Sequence, residues 1–189
     1  MRARRLWTVV CAATLALGIS ACGHKQAHPH VADANNNGDY VDAGPVTYQL
    51  QISRELNPYS DEDAQYLAGL PPGTVNPGAT QFWYGVFLWA INQTHHVATT
   101  ADKFEIIDTQ GNHYYPIKLD TGMNQYAWRS TLLAPLGTQP APDTAAYYGP
   151  TQGQVLLFKL NDTAYSNRPL TLFILSPSGH KLAAISLDL

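Results

Sequence analysis

Phe82-Trp83-Tyr84-Gly85-Val86-Phe87-Leu88-Trp89-Ala90-Ile91-Asn92 carries no charge, and its apolar side chains do not alternate with polar ones. Successive side chains of a strand point to opposite sheet faces. Phe82, Tyr84, Val86 and Leu88 therefore make one stripe, and Trp83, Phe87 and Trp89 the other, with Gly85 between. An exposed aromatic stripe would make a platform for a sugar or peptide. With both stripes equally apolar, burial is the economical reading. The stretch is then a central β-strand, covered by a second sheet on one face and by helix or loop on the other.

The flanking sequence supplies its partners. Val46 to Ser53 alternates cleanly, so Val46, Tyr48, Leu50 and Ile52 are expected to face a core. Phe104 to Asp108 reads as a short strand, Thr109 to Asn112 as a turn, and His113 to Leu119 as the returning arm of a hairpin. Further strands are expected over Ala127–Leu133, Val155–Leu160, Leu170–Leu175 and Leu182–Leu187, with turns at Asn161-Asp162 and Ser176-Pro177-Ser178-Gly179. One helix is expected. Ser60-Asp61-Glu62-Asp63 resembles a capping box with acids in the first turn. Tyr59, Tyr66, Leu67 and Leu70 give that helix an apolar side, and Pro71-Pro72-Gly73 stops it. It is placed as a plug for one open end. Seven or eight short strands, Gly/Pro-rich turns and one short helix define an all-β fold, an immunoglobulin-like antiparallel β-sandwich without the inter-sheet cysteine pair of antibody domains.

Composition agrees. The chain has 189 residues, 45% hydrophobic and 13% charged, with a formal net charge of -3. That suits one globular domain and excludes a disordered chain. It also lacks the basic face a general nucleic-acid binder requires.

The first residues point to export. Arg2, Arg4 and Arg5 precede the apolar run Leu6–Ile19, which ends in Ile19-Ser20-Ala21-Cys22. A basic start, a short apolar core and small residues before a cut describe a signal peptide. The run is shorter than the ~20 residues of a spanning helix. Its end resembles the lipobox of bacterial lipoproteins, with Ile19 where Leu is commoner. The resemblance implies cleavage between Ala21 and Cys22 and a diacylglyceryl group on the Cys22 thiol. Removing residues 1–21 takes three arginines and no acid, leaving 168 residues with 8 basic and 14 acidic. Cys11 leaves with the signal, so no free thiol or disulfide remains. Two acyl chains give stable anchoring where one is marginal. The expected organisation is a lipoprotein signal peptide over 1–21, a flexible tether over 22–44 and the sandwich over 45–189. A coil of the tether's length spans about 25 Å, and the acidic body is expected to stand off the membrane.

Three stretches carry a family resemblance: Val86 to Thr94, Phe104 to Tyr115, and Gly153 to Leu160. Together they resemble the telokin-like, immunoglobulin-like domain of unknown function found in exported lipoproteins of Gram-positive bacteria. The resemblance covers about residues 46–189. It implies the fold and brings no catalytic residues.

Several constellations have residue types suited to chemistry. His24, His28 and His30 have spacing suited to Zn²⁺ or Cu²⁺ but no scaffold, so an incidental polar tether is the preferred reading and no cofactor is expected. Asp33 to Asp39 mimics the start of a calcium loop, yet Gly44 stands where the bidentate Glu should be. His95, His96, His113 and His180 fall in or beside turns. Thr131 to Gly153 is proline-rich and ends near Tyr147 and Tyr148, the candidate ligand-binding pair on a long loop. No nucleophile elbow, phosphate loop or zinc-hydrolase motif occurs. The expectation is a non-enzymatic binding or envelope-associated lipoprotein on the extracytoplasmic face of the cell membrane. Its partners are the membrane, through lipidated Cys22, and an envelope protein or glycan, with no nucleic acid. A small-ligand or metal carrier, or less readily a hydrolase, is the alternative.

Overall fold

The computed structural model describes residues 33–34, 38–187 and 189. Its strands, in chain order, are β1 (Asp33–Ala34), β2 (Tyr40–Ala43), β3 (Val46–Leu56), β4 (Gln81–Asn92), β5 (Ala98–Thr99), β6 (Lys103–Ile107), β7 (His113–Tyr114), β8 (Leu132–Leu133), β9 (Thr138–Gln139), β10 (Gln154–Asn161), β11 (Leu170–Leu175) and β12 (Lys181–Leu187). Two helical turns, α1 (Asp61–Ala64) and α2 (Ala145–Tyr148), join them.

The aromatic stretch is β4, central to the first sheet. β3 lies along one edge, β10 along the other from Gln81 to Leu88, and β9 continues that edge at Ala90 and Ile91. β2 adds to β3 through a hairpin. The second sheet has the order β1-β12-β11-β6-β7, antiparallel except for the β1–β12 pair. β5 and β8 pair separately. The molecule is an antiparallel β-sandwich of immunoglobulin-like type.

Both stripes of β4 are covered. Phe82, Tyr84, Val86, Leu88 and Ala90 enter the core between the sheets, with Tyr48, Leu50 and Phe158 beside them and Phe104, Ile106, Leu172 and Ile185 opposite. Trp83 and Phe87 enter a second core on the outer face, with Leu56, Val155 and Leu157. That core is roofed by Tyr66, Leu119, Tyr126, Ala127 and Ala146. Tyr66 meets Phe87 and Tyr126 edge-on at centroid separations of 4.9 and 5.0 Å, the arrangement the ring quadrupoles favour.

The structure corrects several expectations. A bulge between Leu50 and Ile52 shifts the register of β3 on β4. A one-residue slip moves each following side chain to the other face. Ile52 therefore sits outside at 36% exposure, while Leu56 joins the outer core. Arg54 also lies outside, its guanidinium 6.0 Å from the centre of the Phe87 ring. The helix does not plug an end. α1 and the following 3₁₀ turn (Gln65–Leu67) lay Tyr66 on the outer face of the first sheet. Nor does Ser60 form a capping box, because its side chain makes no cap and Asp63 turns to Arg54 and to the Asn57 N–H instead. Ala127–Leu133 is not one strand: Ala127 makes a single bridge to Val155, and only Leu132–Leu133 is β8. The returning arm after the 109–112 turn is only His113–Tyr114. Finally, β1 and β2 lie inside the stretch read as a tether over 22–44, so the folded body takes in Asp33–Ala34 and Tyr40–Ala43.

One glycine fixes how the loop over residues 140–153 enters β10. Gly153 has φ +102°, and a Cβ there would sit 3.0–3.1 Å from backbone N and O atoms of Leu88. Backbone in this region is strained for any other residue by about 1–3 kcal/mol, and here it also meets main chain that cannot step aside. Gly153→Ala is expected to lower unfolding stability in urea by at least that amount. Gly111→Ala, also at positive φ but facing open space, is expected to lose less.

Candidate functional site

Loops laid over an apolar sheet bury main-chain polar groups, which must find partners. Short amide and carboxylate side chains supply them. Asn124, 2% exposed, donates its Nδ2 to the carbonyls of Tyr66 and Ala68 and accepts the Tyr126 N–H. Asn92, fully buried at the end of β4, donates to the carbonyls of His96, Leu133 and Ala134, and its Oδ1 accepts the N–H and hydroxyl of Thr94. The backbone of Ala101 is held from both sides: its N–H donates to the Tyr48 hydroxyl at 2.6 Å, and its carbonyl accepts from Trp128 Nε1 at 2.9 Å. Burial pushes the Tyr48 phenol up to about 12, against the opposing effect of the Ala101 hydrogen bond.

Where this cover stops short, on the open side between β6 and β10, two clefts remain. The first, about 730 Å³, has Phe104, Ile117, Trp128, Val155 and Leu156 in its wall. Asp102, Lys118, Asp120 and Arg129 also line it, and all four are exposed. The second, about 520 Å³, sets uncharged polar residues, among them Gln125, Thr131, Gln139, Thr144 and Gln154, beside the apolar Leu132, Leu133 and Pro142. The clefts share Thr121, Ala127 and Arg129. Among the described residues, Lys118 and Arg129 pair with no acid.

A buried relay aims one group into the second cleft. Thr100 Oγ1 accepts the Thr131 N–H and donates to Gln139 Oε1. Gln139 Nε2 donates to the Arg129 carbonyl at 2.8 Å and to Gln154 Oε1 at 2.6 Å. A carbonyl only accepts, so the orientation of Gln139 is fixed. Gln154 must then turn its oxygen to Gln139 and its Nε2 away, and that amide donor meets no acceptor among the described residues. The wall of the second cleft thus carries one held amide donor and Arg129, whose guanidinium pairs with no acid among the described residues.

The groups expected from the sequence fall elsewhere. Ala21, Cys22, His24, His28 and His30 lie outside the described residues. Asp33 is in β1, and Gly38 donates its N–H to the Leu50 carbonyl. Tyr147 and Tyr148 are in α2. Tyr147 packs on Trp89 at 4.6 Å and on Tyr148 at 4.7 Å, leaving Tyr148 67% exposed. They line neither cleft. Of the turn histidines, His113 lies 3.3 Å from Glu105 while His95, His96 and His180 stand exposed. Among the described residues no three His, Cys, Asp or Glu side chains converge on a metal position. Arg129 and Gln154 were not singled out, because a lone Arg and a lone Gln far apart in sequence form no motif.

No protein-family model and no curated protein matches the chain. Among solved structures it is similar to the YjhA protein of Bacillus subtilis, at 9% identity and a TM-score of 0.45, over 82% of this chain and 99% of that one. It is also similar to an uncharacterized β-sandwich protein of Clostridium difficile, at 13% identity and a TM-score of 0.42, over 82% and 95%. The fold assignment stands on the two sheets of this chain itself.

The buried acids serve the fold. Asp108 accepts from the Gln110 and Asn112 N–H groups and from the side-chain amides of Asn112 and Asn167. Burial alone would raise its pKa, but these hydrogen bonds outweigh it and hold the carboxyl at about 2. A depressed folded pKa stabilises the fold above the unfolded value near 4, and that stability is lost as pH falls toward 2. Acid unfolding should therefore steepen between about pH 4 and pH 2. Asp108→Asn should be less stable at pH 7 and should lose that part of the pH dependence, as read by thermal melts across the range.

Proposed function

We propose that this chain is a lipid-anchored, extracytoplasmic β-sandwich that binds a ligand rather than catalysing a reaction, with the paired clefts as the ligand site. The anchor rests on the sequence: basic residues, a short apolar run, and Cys22 directly after Ser20-Ala21. The resemblance to exported Gram-positive lipoprotein domains agrees with it. The binding site rests on one observation: the wall of the second cleft holds both Arg129, whose guanidinium pairs with no acid among the described residues, and a Gln154 amide whose direction is fixed by a buried relay. Donors held in place without protein acceptors suit a ligand rich in acceptors. The guanidinium favours a carboxylate or another planar anion, which it grips with two parallel bonds. The Thr and Gln side chains around it suit hydroxyl groups, and the Trp128–Phe104 wall gives an apolar surface for a ring or chain. Carboxylate-bearing sugars combine these features.

Two measurements test the reading. Intact mass of the protein from its native membrane should match cleavage before Cys22 plus a diacylglyceryl group, and a Cys22→Ala variant should lose both; an unlipidated wild-type product would contradict the anchor. Titration of the domain with glucuronic acid, followed by amide chemical shifts, should perturb Thr121, Arg129, Thr131 and Gln154, with glucose weaker. Arg129→Gln should weaken binding about tenfold, the scale of a charged hydrogen bond, without moving the melting temperature. Equal response to both sugars, or none from either, would contradict the ligand assignment.

A further inference from the structure

Three large apolar side chains stand exposed at one end of the sandwich: Val97 at 62%, Leu132 at 69% and Leu136 at 74%. They are built into the fold there. β5 and β8 pair Ala98 and Thr99 with Leu133 and Leu132. Asn92, closing β4, holds both loops through its side chain, and its carbonyl accepts the Leu136 N–H. Leu136 adopts φ +61°, a conformation uncommon outside glycine and costly for a bulky side chain. The fold thus bears strain at a residue whose side chain contributes little to the core.

Charge separates the two ends. The apolar end is built from residues 93–103, 130–139 and 175–182, and a shared cavity brings Gly44, Thr99, Lys103, Ser130 and Leu175 together there. Those stretches and the 42–47 hairpin beside them contain two cations, Lys103 and Lys181, three histidines and two acids, Asp42 and Asp102. The opposite end and its flank carry Glu55, Asp61, Glu62, Asp63, Asp108 and Asp162 against Arg54, Lys159 and Arg168.

The chain also arrives at the apolar end. β1 runs parallel to β12, pairing Asp33 with Ala184, three residues after Lys181 opens β12. Asp33 therefore lies about 10 Å in from that end. Ten residues separate it from Cys22. They span about 20 Å as a coil and no more than about 40 Å fully extended. β4 alone is about 40 Å long, so a short tether brings the near end within reach of the bilayer and leaves the acidic end facing away.

We propose that this end, through Val97, Leu132 and Leu136, rests in the headgroup layer of the membrane that holds the lipidated Cys22, placing the second cleft, whose wall Leu132 also joins, beside the membrane surface. The proposal depends on the anchored reading above. It replaces a domain standing clear of the membrane with one docked on it, because strand pairing is already present at Asp33, eleven positions after Cys22.

The test uses the full lipidated protein in vesicles of phosphatidylethanolamine and phosphatidylglycerol. With Cys22 acylated the mature chain has no other thiol, so Leu136→Cys and Val75→Cys each take one nitroxide label. Val75 is the control, 73% exposed and equally apolar, in the loop that leads into the far end of β4. The Leu136 label is expected to become at least several-fold less accessible to an aqueous nickel chelate and more accessible to oxygen, with Val75 unchanged. Leu132→Cys repeats the measurement on a residue outside the strained turn, in case Leu136→Cys disturbs it. Labels at 132 and 136 as open to nickel as Val75, in a protein whose mass shows the lipid, overturn this proposal alone. Labels shielded from both reagents show protein cover and overturn it too. A protein without the lipid mass overturns the anchored reading and this one with it.

Discussion

The centre of the first sheet, along β4, has no polar face. β4 turns Phe82, Tyr84, Val86 and Leu88 to one side and Trp83 and Phe87 to the other, and β10 repeats the pattern with Phe158 inside and Val155 and Leu157 outside. A sheet of this kind cannot lie on the surface of a two-layer sandwich. The hydrophobic effect requires a second cover, and in a chain with so little helix the cover is made of loops. Residues 115–131 and 140–153 are long connections because they have a face to roof. Their order follows from the apolar area beneath them, with Tyr66, Tyr126 and Ala146 as the contacts that hold them down.

Roofing a sheet with irregular chain creates a polar problem that helices do not have. Each buried N–H and carbonyl needs a partner, and here a few short side chains supply several at once. Asn92 and Asn124 each bridge a loop to a distant segment, Asp108 closes a hairpin and ties it to Asn167, and Gln139 links Thr100, Arg129 and Gln154. Such residues resemble binding residues in a sequence, being polar, buried and placed beside turns. Their bonds are all spent within the fold. The informative polar groups are those left over, the far amide of Gln154 and the guanidinium of Arg129, at the margin where the loop cover runs out.

Much of this was legible in the sequence. The doubly apolar stretch 82–92 announces a strand covered on both faces, and the alternation and turn chemistry elsewhere place β6, β10, β11 and β12 almost to the residue. Three things were hidden. The bulge after Leu50 reverses which side of β3 is buried, and periodicity within one strand cannot show a slip that depends on its neighbour. β1 and β2 are polar and short, edge segments whose pairing is set by β12 and β3, so their composition reads as linker. The clefts draw on residues from 102 to 156 that no spacing rule connects. Of Tyr147 and Tyr148, the pair that composition favours, Tyr147 packs against Trp89 and Tyr148 stands exposed beside it, and neither lines a cleft.

The central claim is that the outer cover is core rather than decoration. A matched pair of substitutions tests it, because Phe87 and Phe158 are equally buried, on neighbouring strands, and face opposite sides of the same sheet. Urea unfolding of Phe87→Ala and Phe158→Ala, followed by fluorescence and circular dichroism, should give similar losses of about 3–5 kcal/mol, each in one cooperative transition. A loss below about 1 kcal/mol for Phe87→Ala, or a separate early transition for the loops, would contradict the account.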